Sequence, residues 1–572
     1  MLQVLLFGIM ATALWKVVQA RLAARALAAL PAPAAVQHTA FTIQQTALAA
    51  LRPQAMTPPG VVSFRGTPPS TGTLVEAWLR KHPDFRPFRF LGIEQNAFEL
   101  LDKMVLVLGK PGTGKTTALK GLTYEIIRAL FGPDPVAAKA RLVMIDPTGE
   151  FRNLVFSVTP TDVPIFDLSL SSDDGCFWDV SQDVRTGADA MTLIETLKGD
   201  SYAKSHADPF WVNTPTILFQ ELLQPLVERQ GTWRLSPLVR AMRFSAFARA
   251  FLRTTTSGRA FADDHLKGKL GQDIWLAAQA MLQKFTAAAE LESQATHGLS
   301  MGDFLQKDRA VLYVRFDQKS IKPEGAQVAA MLQTLGTLLL SREVPRHEDL
   351  TYFVLDEGAY LSDLNFIADL AKKGRNYGAG VCLSVLGLPT MVQAFGEKPA
   401  QELMALPRVT VCFACDADTA EAFAKLVGSY EATVTIESTQ AQTSHSSSWG
   451  YSGGSCNWTE SYTTGTTTSR NVTHVVRQAL LPGELTTLPT PDNPATPGTF
   501  SAYAFTADSG AYLVQASIRA EADRMLGIVA YSLKTRTPKT LQPFTAHELN
   551  AMHMTPDIDA PEIQEALDKY KT

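Results

Sequence analysis

The stretch Met104-Val-Leu-Val-Leu-Gly109-Lys110-Pro111-Gly112-Thr113-Gly114-Lys115-Thr116-Thr117 constrains the chain most, because an apolar run of strand length, a glycine-rich turn and a helix-forming segment succeed one another without a break. That order builds a phosphate-binding loop. Gly109, Gly112 and Gly114 let the backbone curl so that successive N–H groups, those of Lys110 and Thr113 on either side of Pro111 included, face phosphate oxygens. Lys115 neutralises the outer phosphates, and the Thr116 hydroxyl, next to Thr117, is placed to ligate Mg²⁺. The helix expected from Lys115 carries Ala118, Leu119, Leu122, Ile126, Ile127 and Leu130 on one face and adds its positive amino end to the site. ATP and Mg²⁺ are the expected cofactors.

A chain of 572 residues, 46% apolar and 19% charged, has room for two or three domains with ample core. Its formal net charge of -4 excludes a protein that coats nucleic acid by bulk charge. Any DNA contact must therefore come from a local basic surface or an assembled channel. The five cysteines are sparse and unevenly spaced, which suits free thiols in a reducing compartment. Cys412-Phe-Ala-Cys415 has metal-ligand spacing, but no second Cys or His pair accompanies it, so it reads as buried cysteines of a strand-like run from Val409 to Ala414.

Residues 2–15 carry no charge, and the apolar character continues through Val17 and Val18, enough for a helix of about 27 Å, just short of a hydrocarbon core. Lys16, Arg21 and Arg25 come after this stretch rather than before it, which favours a retained anchor over a cleaved signal. We therefore expect an anchor in the bacterial inner membrane over residues 1–26, with the bulk of the chain in the cytoplasm. An Ala-, Pro- and Thr-rich linker over 27–72 comes next.

A second strand, Arg141 to Asp146, ends in an acid that either lies beside the phosphate site or caps the strand end. The next clear strand comes only at Ala310 to Asp317. Between them, Trp211 to Val227, Leu235 to Leu252 and Asp273 to Leu291 have helical apolar spacing. This gives an α/β nucleotide domain over 73–185 and 306–530, an inserted all-α domain over 186–305, and a tail over 531–572 with a short amphipathic helix from Pro561.

Thr351-Tyr-Phe-Val-Leu-Asp356-Glu357 has the form of a Walker B strand, with Asp356 holding Mg²⁺ and Glu357 orienting and deprotonating the attacking water. Gly380 to Leu386 and Val409 to Ala414 are further expected buried strands. Lys372-Lys-Gly-Arg375-Asn-Tyr377 is a basic turn after a helix. It is either a solvated helix end or, in a ring of subunits, the source of an arginine, Arg375, that reaches a neighbour's γ-phosphate. From Ala432 to Val476 the chain is Ser- and Thr-rich, with only Glu437, Glu460 and Arg470 charged. It is a polar hairpin or a disordered loop.

Taken together, several segments resemble the type IV coupling proteins, the DNA-transport ATPases of conjugation. They are the phosphate loop, Asp146-Pro-Thr-Gly-Glu150, Phe177-Trp-Asp179, Asp208-Pro-Phe-Trp211, Leu355-Asp-Glu-Gly-Ala359, Gly374-Arg-Asn-Tyr-Gly378, Val385-Leu-Gly-Leu388, Phe395-Gly396, Asp416-Ala-Asp-Thr-Ala420 and Leu481-Pro-Gly-Glu484. The resemblance spans roughly Phe90 to Ile518. It implies a RecA-like P-loop domain with an inserted all-α domain, an N-terminal membrane anchor and a homo-hexameric ring. It further implies single-stranded DNA and an attached relaxase as substrate, delivered to the inner-membrane components of a type IV secretion channel. Two departures limit it. Pro389 stands where the family often has a γ-phosphate-sensing glutamine, and one membrane helix is visible where the family usually has two. Other readings of the same residues are a chromosome-pumping or secretion-assembly ring motor, or a membrane-anchored docking receptor switched by nucleotide.

Overall fold

The computed structural model describes short strands at Val61–Phe64, Pro87–Phe90 and Ile93–Asn96 and most of residues 101–569. The anchor expected over residues 1–26 lies outside the described residues, as does most of the linker over 27–72. Among the described residues no helix is long and apolar enough to cross a membrane.

The centre of the molecule is a nine-stranded sheet whose strands are numbered here in chain order: β1 (Met104–Leu108), β2 (Lys139–Ile145), β3 (Ile165–Asp167), β4 (Arg309–Val314), β5 (Asp349–Leu355), β6 (Ala379–Val385), β7 (Val409–Cys412), β8 (Thr499–Thr506) and β9 (Gly510–Ser517). Their spatial order is β9-β8-β7-β1-β6-β5-β2-β4-β3. The seven strands from β7 to β3 are parallel, and the β8–β9 hairpin adds antiparallel to β7. A parallel sheet needs cover on both faces, and the strands are accordingly apolar on both. Val105 and Val107 of β1 pack with Leu119, Leu122 and Ile126 of the helix Lys115–Phe131. Leu106 and Leu108 join the opposite layer with Leu335, Ile367 and Met391.

The fold is thus mixed α/β with a large, mainly parallel sheet, as expected. β3 was not foreseen in the sequence: three residues after Pro164, at the sheet edge, are too short to show a period.

Between β3 and β4 the chain is helical, with helices at Gly187–Lys198, Pro209–Glu228, Leu235–Arg243, Ser245–Arg253, Thr256–His265, Gly268–Gln283 and Thr286–Glu292. Two of the expected helices are broken. Apolar spacing runs straight through Phe244, but its backbone (φ -108°, ψ 84°) leaves the helix there. Likewise Asp273 to Leu291 divides before Phe285. The only sheet pairing at this segment's base is between Phe177–Trp178 and Gly298–Leu299, among the described residues. Its core, with Phe219, Phe247 and Phe251, is continuous with one layer of the sheet.

The polar stretch is a hairpin. Ser429–Ser452 and Ser455–Gln478 pair antiparallel along their full 24 residues, and Val61–Phe64 adds a third strand at the base. At strand rise the arm is roughly 80 Å long. The tail crosses the surface as a strap. The Val529 N–H donates to Ser157 Oγ (2.8 Å) and the Tyr531 N–H to Asn153 Oδ1 (2.9 Å), on the helix Arg152–Val158. Farther on, Phe544 packs against Phe247 and Phe251 of the helical segment. Arg240 lies over the Phe544 ring and holds Glu548 through its two terminal guanidinium nitrogens (2.8 and 3.0 Å).

Candidate functional site

The phosphate loop joins β1 to its helix, and its geometry comes from its glycines. Gly114 is left-handed (φ 93°), and a Cβ there would come within 2.6 Å of Phe500, so only glycine fits both the backbone and the packing. Thr113 closes the turn by donating its hydroxyl to the Lys110 carbonyl (2.8 Å). The helix that starts at Lys115 has no side chain capping its first turn and no acidic residue in it. Its amino-terminal N–H groups and partial positive charge are therefore open to an anion. Lys110, Pro111 and Gly112 form the exposed rim, and Thr116 and Thr117 are half-buried beneath it.

β5 ends beside this loop, one strand removed, because β6 lies between β1 and β5. Lys115 and Glu357 meet at 3.6 Å, beyond hydrogen-bond range. Lys115 is buried with its Nζ making no hydrogen bond, and burial pulls its pKa down against the opposing pull of Glu357 and Asp356. Asp356 is buried with Oδ1 unpaired. Burial pushes its pKa up to about 6, while the Lys115 charge pulls it back and Asp146 adds to the rise. A buried ammonium and a buried carboxylate oxygen, neither with a hydrogen bond, are what a bound polyphosphate and divalent cation would satisfy. The donor set therefore fits Mg²⁺–nucleotide: loop N–H groups and Lys115 for phosphate, Thr116 and Asp356 for the metal.

Glu357 is the single non-glycine residue with positive φ (47°) among those described. A left-handed residue without glycine's freedom costs about 1–2 kcal/mol, which the surrounding structure must offset. This left-handed residue directly follows Asp356, and its carboxylate is the one near Lys115.

Asp146 has a different role. Its two oxygens accept the N–H groups of Gly149, Glu150 and Phe151 and the hydroxyls of Thr148 and Tyr313 (2.7–3.2 Å). Both oxygens are occupied, so it organises the turn between β2 and the helix Arg152–Val158, and it also lies close enough to Asp356 for its charge to act there. Burial and the Asp146 charge hold the Tyr313 hydroxyl far above its ordinary pKa, as a donor.

Arg375 lies in a short 3-10 helix, Gly374–Tyr377, immediately before β6. That is the amino end of the sheet, whereas the phosphate loop is at the carboxyl end, so the chain does not bring Arg375 to its own phosphate site. Arg315, which sequence reasoning passed over, comes directly after β4 at the carboxyl end and lies against Gly149, its Nε without a hydrogen-bond partner. A basic residue at the end of the run Ala310–Val314 was the signal for it.

The described cysteines are free thiols. Cys412 and Cys415 are both buried, and no metal-binding cluster occurs among the described residues.

Comparison with known proteins places this geometry in a family. Residues 97–493 match the family model described as the type IV secretion-system coupling protein DNA-binding domain. Among solved structures, the bacterial conjugative coupling protein TrwBdeltaN70 in its unbound monoclinic form superposes with a TM-score of 0.57 at 19% identity, over 80% of this chain and 94% of that one. TrwB in complex with ADP and Mg²⁺ gives 0.56 at 18%, over 84% and 98%. TrwB with the ATP analogue ADPNP gives 0.56 at 18%, over 86% and 99%. These likenesses establish a shared fold. No curated protein matches the chain.

Proposed function

Because this chain belongs to the type IV secretion-system coupling proteins, its family model matching well over half its length, we propose that it is an ATP-hydrolysing motor that moves single-stranded DNA with an attached relaxase toward a type IV secretion channel. The observation that carries the reading is the convergence of Lys115, Asp356 and the strained Glu357 at one end of the sheet, with polar atoms of the first two left unpaired. Lys115 and the loop N–H groups hold the phosphates, and Thr116 and Asp356 hold Mg²⁺. The metal supplies charge neutralisation at the transferring phosphoryl group. Glu357 takes a proton from the attacking water, and its turn at the strand end fixes its carboxylate for that task.

On this reading the chain works as a homo-hexameric ring, held to the inner membrane by residues 1–26 and contacting channel components there. The helical segment over 186–305 is a domain inserted into the nucleotide domain. Arg375, remote from its own phosphate site, acts on a neighbour's nucleotide across the ring. Pro389 has no N–H to donate and does not sense phosphate.

The test is ATP turnover by the purified protein with and without single-stranded DNA, alongside Glu357→Gln. The amide keeps the size of the side chain but cannot accept the water's proton. Wild-type protein should hydrolyse ATP faster with DNA, and Glu357→Gln should bind nucleotide while turning over about a hundredfold or more slower. Normal hydrolysis by Glu357→Gln would place the base elsewhere.

A further inference from the structure

Beneath the phosphate loop lies a pair of aromatic rings, and beside them a pair of thiols that the proposed reaction does not use. A Cβ on Gly109 would stand 2.6 Å from the Cβ of Phe413, as one on Gly114 would from Phe500, and the two rings are 5.7 Å apart. Phe413 and Phe500 are thus the floor on which the loop rests. Phe413 also donates its N–H to the Leu108 carbonyl (2.9 Å), and its neighbour Ala414 accepts the Lys110 N–H (2.9 Å). The loop is therefore tied at both its start and its first exposed residue to the segment Cys412-Phe413-Ala414-Cys415.

The two cysteines bracket that segment. Cys412 ends β7 and donates its thiol to Cys415 Sγ at 3.6 Å, with both side chains fully buried. No third ligand joins them among the described residues, so metal binding does not account for the pair. We propose that Cys412 and Cys415 are a modification site, a dithiol that a peroxide-class oxidant converts to a disulfide, and that this closes the phosphate loop to nucleotide. The effect on nucleotide rests on the nucleotide reading above; the disulfide does not.

Both sulfurs are enclosed, so peroxide reaches them only as the segment opens; Cys415 is then the attacking sulfur, because the hydrogen bond from Cys412 and the charge of Lys110 favour its thiolate against burial and the charge of Asp416. Burial holds Cys412 well above the usual thiol range, in its protonated state. The Cys415 thiolate attacks one peroxide oxygen and expels the other as hydroxide, leaving a sulfenic acid. Cys412 then loses its proton as its sulfur attacks Cys415 Sγ and expels the second hydroxide. Two thiols and one peroxide give one disulfide and two waters, and a thiol reductant reverses the bond by exchange.

Closing from 3.6 Å to a bonded distance of about 2.05 Å draws the ends of a four-residue segment together. On this proposal part of that closure passes to the backbone of Phe413 and Ala414, which carry the contacts to Leu108, Gly109 and Lys110. Gly109 and Lys110 then lose their floor and their anchor.

The experiment treats the full protein with hydrogen peroxide and reads three quantities: the mass of the peptide spanning Cys412 and Cys415, amide exchange of the peptide spanning residues 109–114, and affinity for a fluorescent ATP analogue. The expected results are the loss of two hydrogens in mass, faster exchange at the loop, and at least about tenfold weaker nucleotide binding, all restored by dithiothreitol. Cys412→Ser, and Cys412→Ala as a second variant, should keep loop exchange and affinity unchanged under peroxide. The proposal is overturned if the disulfide does not form, if it forms with loop exchange unaltered, or if the cysteine variants lose loop protection as wild type does. A reduced protein that binds no nucleotide would instead defeat the nucleotide reading, and mass and exchange would still decide the switch.

Discussion

At the amino ends of β2 and β5, Arg141 is fully enclosed by acceptors: Thr351 Oγ1, the Lys307 carbonyl and the Asp349 carboxylate, which Arg342 also approaches at 3.5 Å. At the carboxyl ends of β1 and β5, Lys115 and Asp356 are also buried, yet Lys115 Nζ and Asp356 Oδ1 each lack a hydrogen bond. The cost of burying charge is offset at the first end by bonds within the chain. At the second it is left standing until something binds. A satisfied buried ion pair is architecture, whereas an unsatisfied one marks where a ligand completes the structure.

The contrast breaks most sharply at its two cations. Lys115→Ala should abolish ATP turnover while leaving the folded protein as stable as wild type or more so, because it removes a buried charge that lacks a hydrogen bond. Turnover and thermal denaturation on the same sample decide it, and near-normal hydrolysis would remove Lys115 from the site.

Arg375→Ala tests whether the amino end is architecture alone. If Arg375 reaches a neighbour's phosphate, turnover should fall about a thousandfold with little change in nucleotide affinity. Mixing Arg375→Ala with Lys115→Ala subunits should then return part of the activity. Verified mixed rings without recovery would leave Arg375 as a helix end.

Arg141→Met should do the reverse of Lys115→Ala. Removing one partner of a buried pair strands Asp349, so chemical denaturation should show a loss of roughly 3 kcal/mol, with nucleotide affinity intact in the remaining folded protein. Lost turnover at unchanged stability would give this end a functional role.

The smallest effect belongs to a buried acid remote from both ends. Glu292 accepts the Ser236 N–H (2.6 Å) at the start of the helix Leu235–Arg243, and burial pushes its pKa up to about 7 in spite of that bond and Arg234. The native chain therefore holds this proton more tightly than the unfolded one. Stability should decline as pH rises from about 4.5 to about 7 and level off above, because the unfolded chain ionises first. Glu292→Gln should flatten that slope, visible as a few degrees of melting temperature near neutral pH.

How much of this was legible in the sequence depends on whether the signal was local. The phosphate loop and the Asp356-Glu357 strand end are each continuous in sequence, so both segments could be picked out directly as a strand end beside a glycine turn. Asp146 left two readings open because its partners include Tyr313, far along the chain. The polar hairpin lacked an apolar face, so hydrophobic period could not separate a strand from a loop, and pairing between backbones made the difference. The strap of Phe544 and Glu548 onto Arg240 and Phe247 is purely tertiary, and nothing near residue 540 announces it. The floor of Phe413 and Phe500 was hidden for the same reason.

The strand order has a consequence for synthesis. β1 has as its two neighbours β6 and β7, and neither exists until residues 379–412 have been made. At 5–20 residues per second the complete phosphate-loop motif waits roughly 13 to 54 s on the ribosome with both edges of an apolar strand unpaired, until β6 is made. A chain halted before residue 379 holds the whole loop sequence and neither of the strands that flank β1. That exposure should make emerging chains dependent on chaperones, and slowing initiation, which spaces them apart, should raise the soluble yield more than slowing elongation, which lengthens the wait.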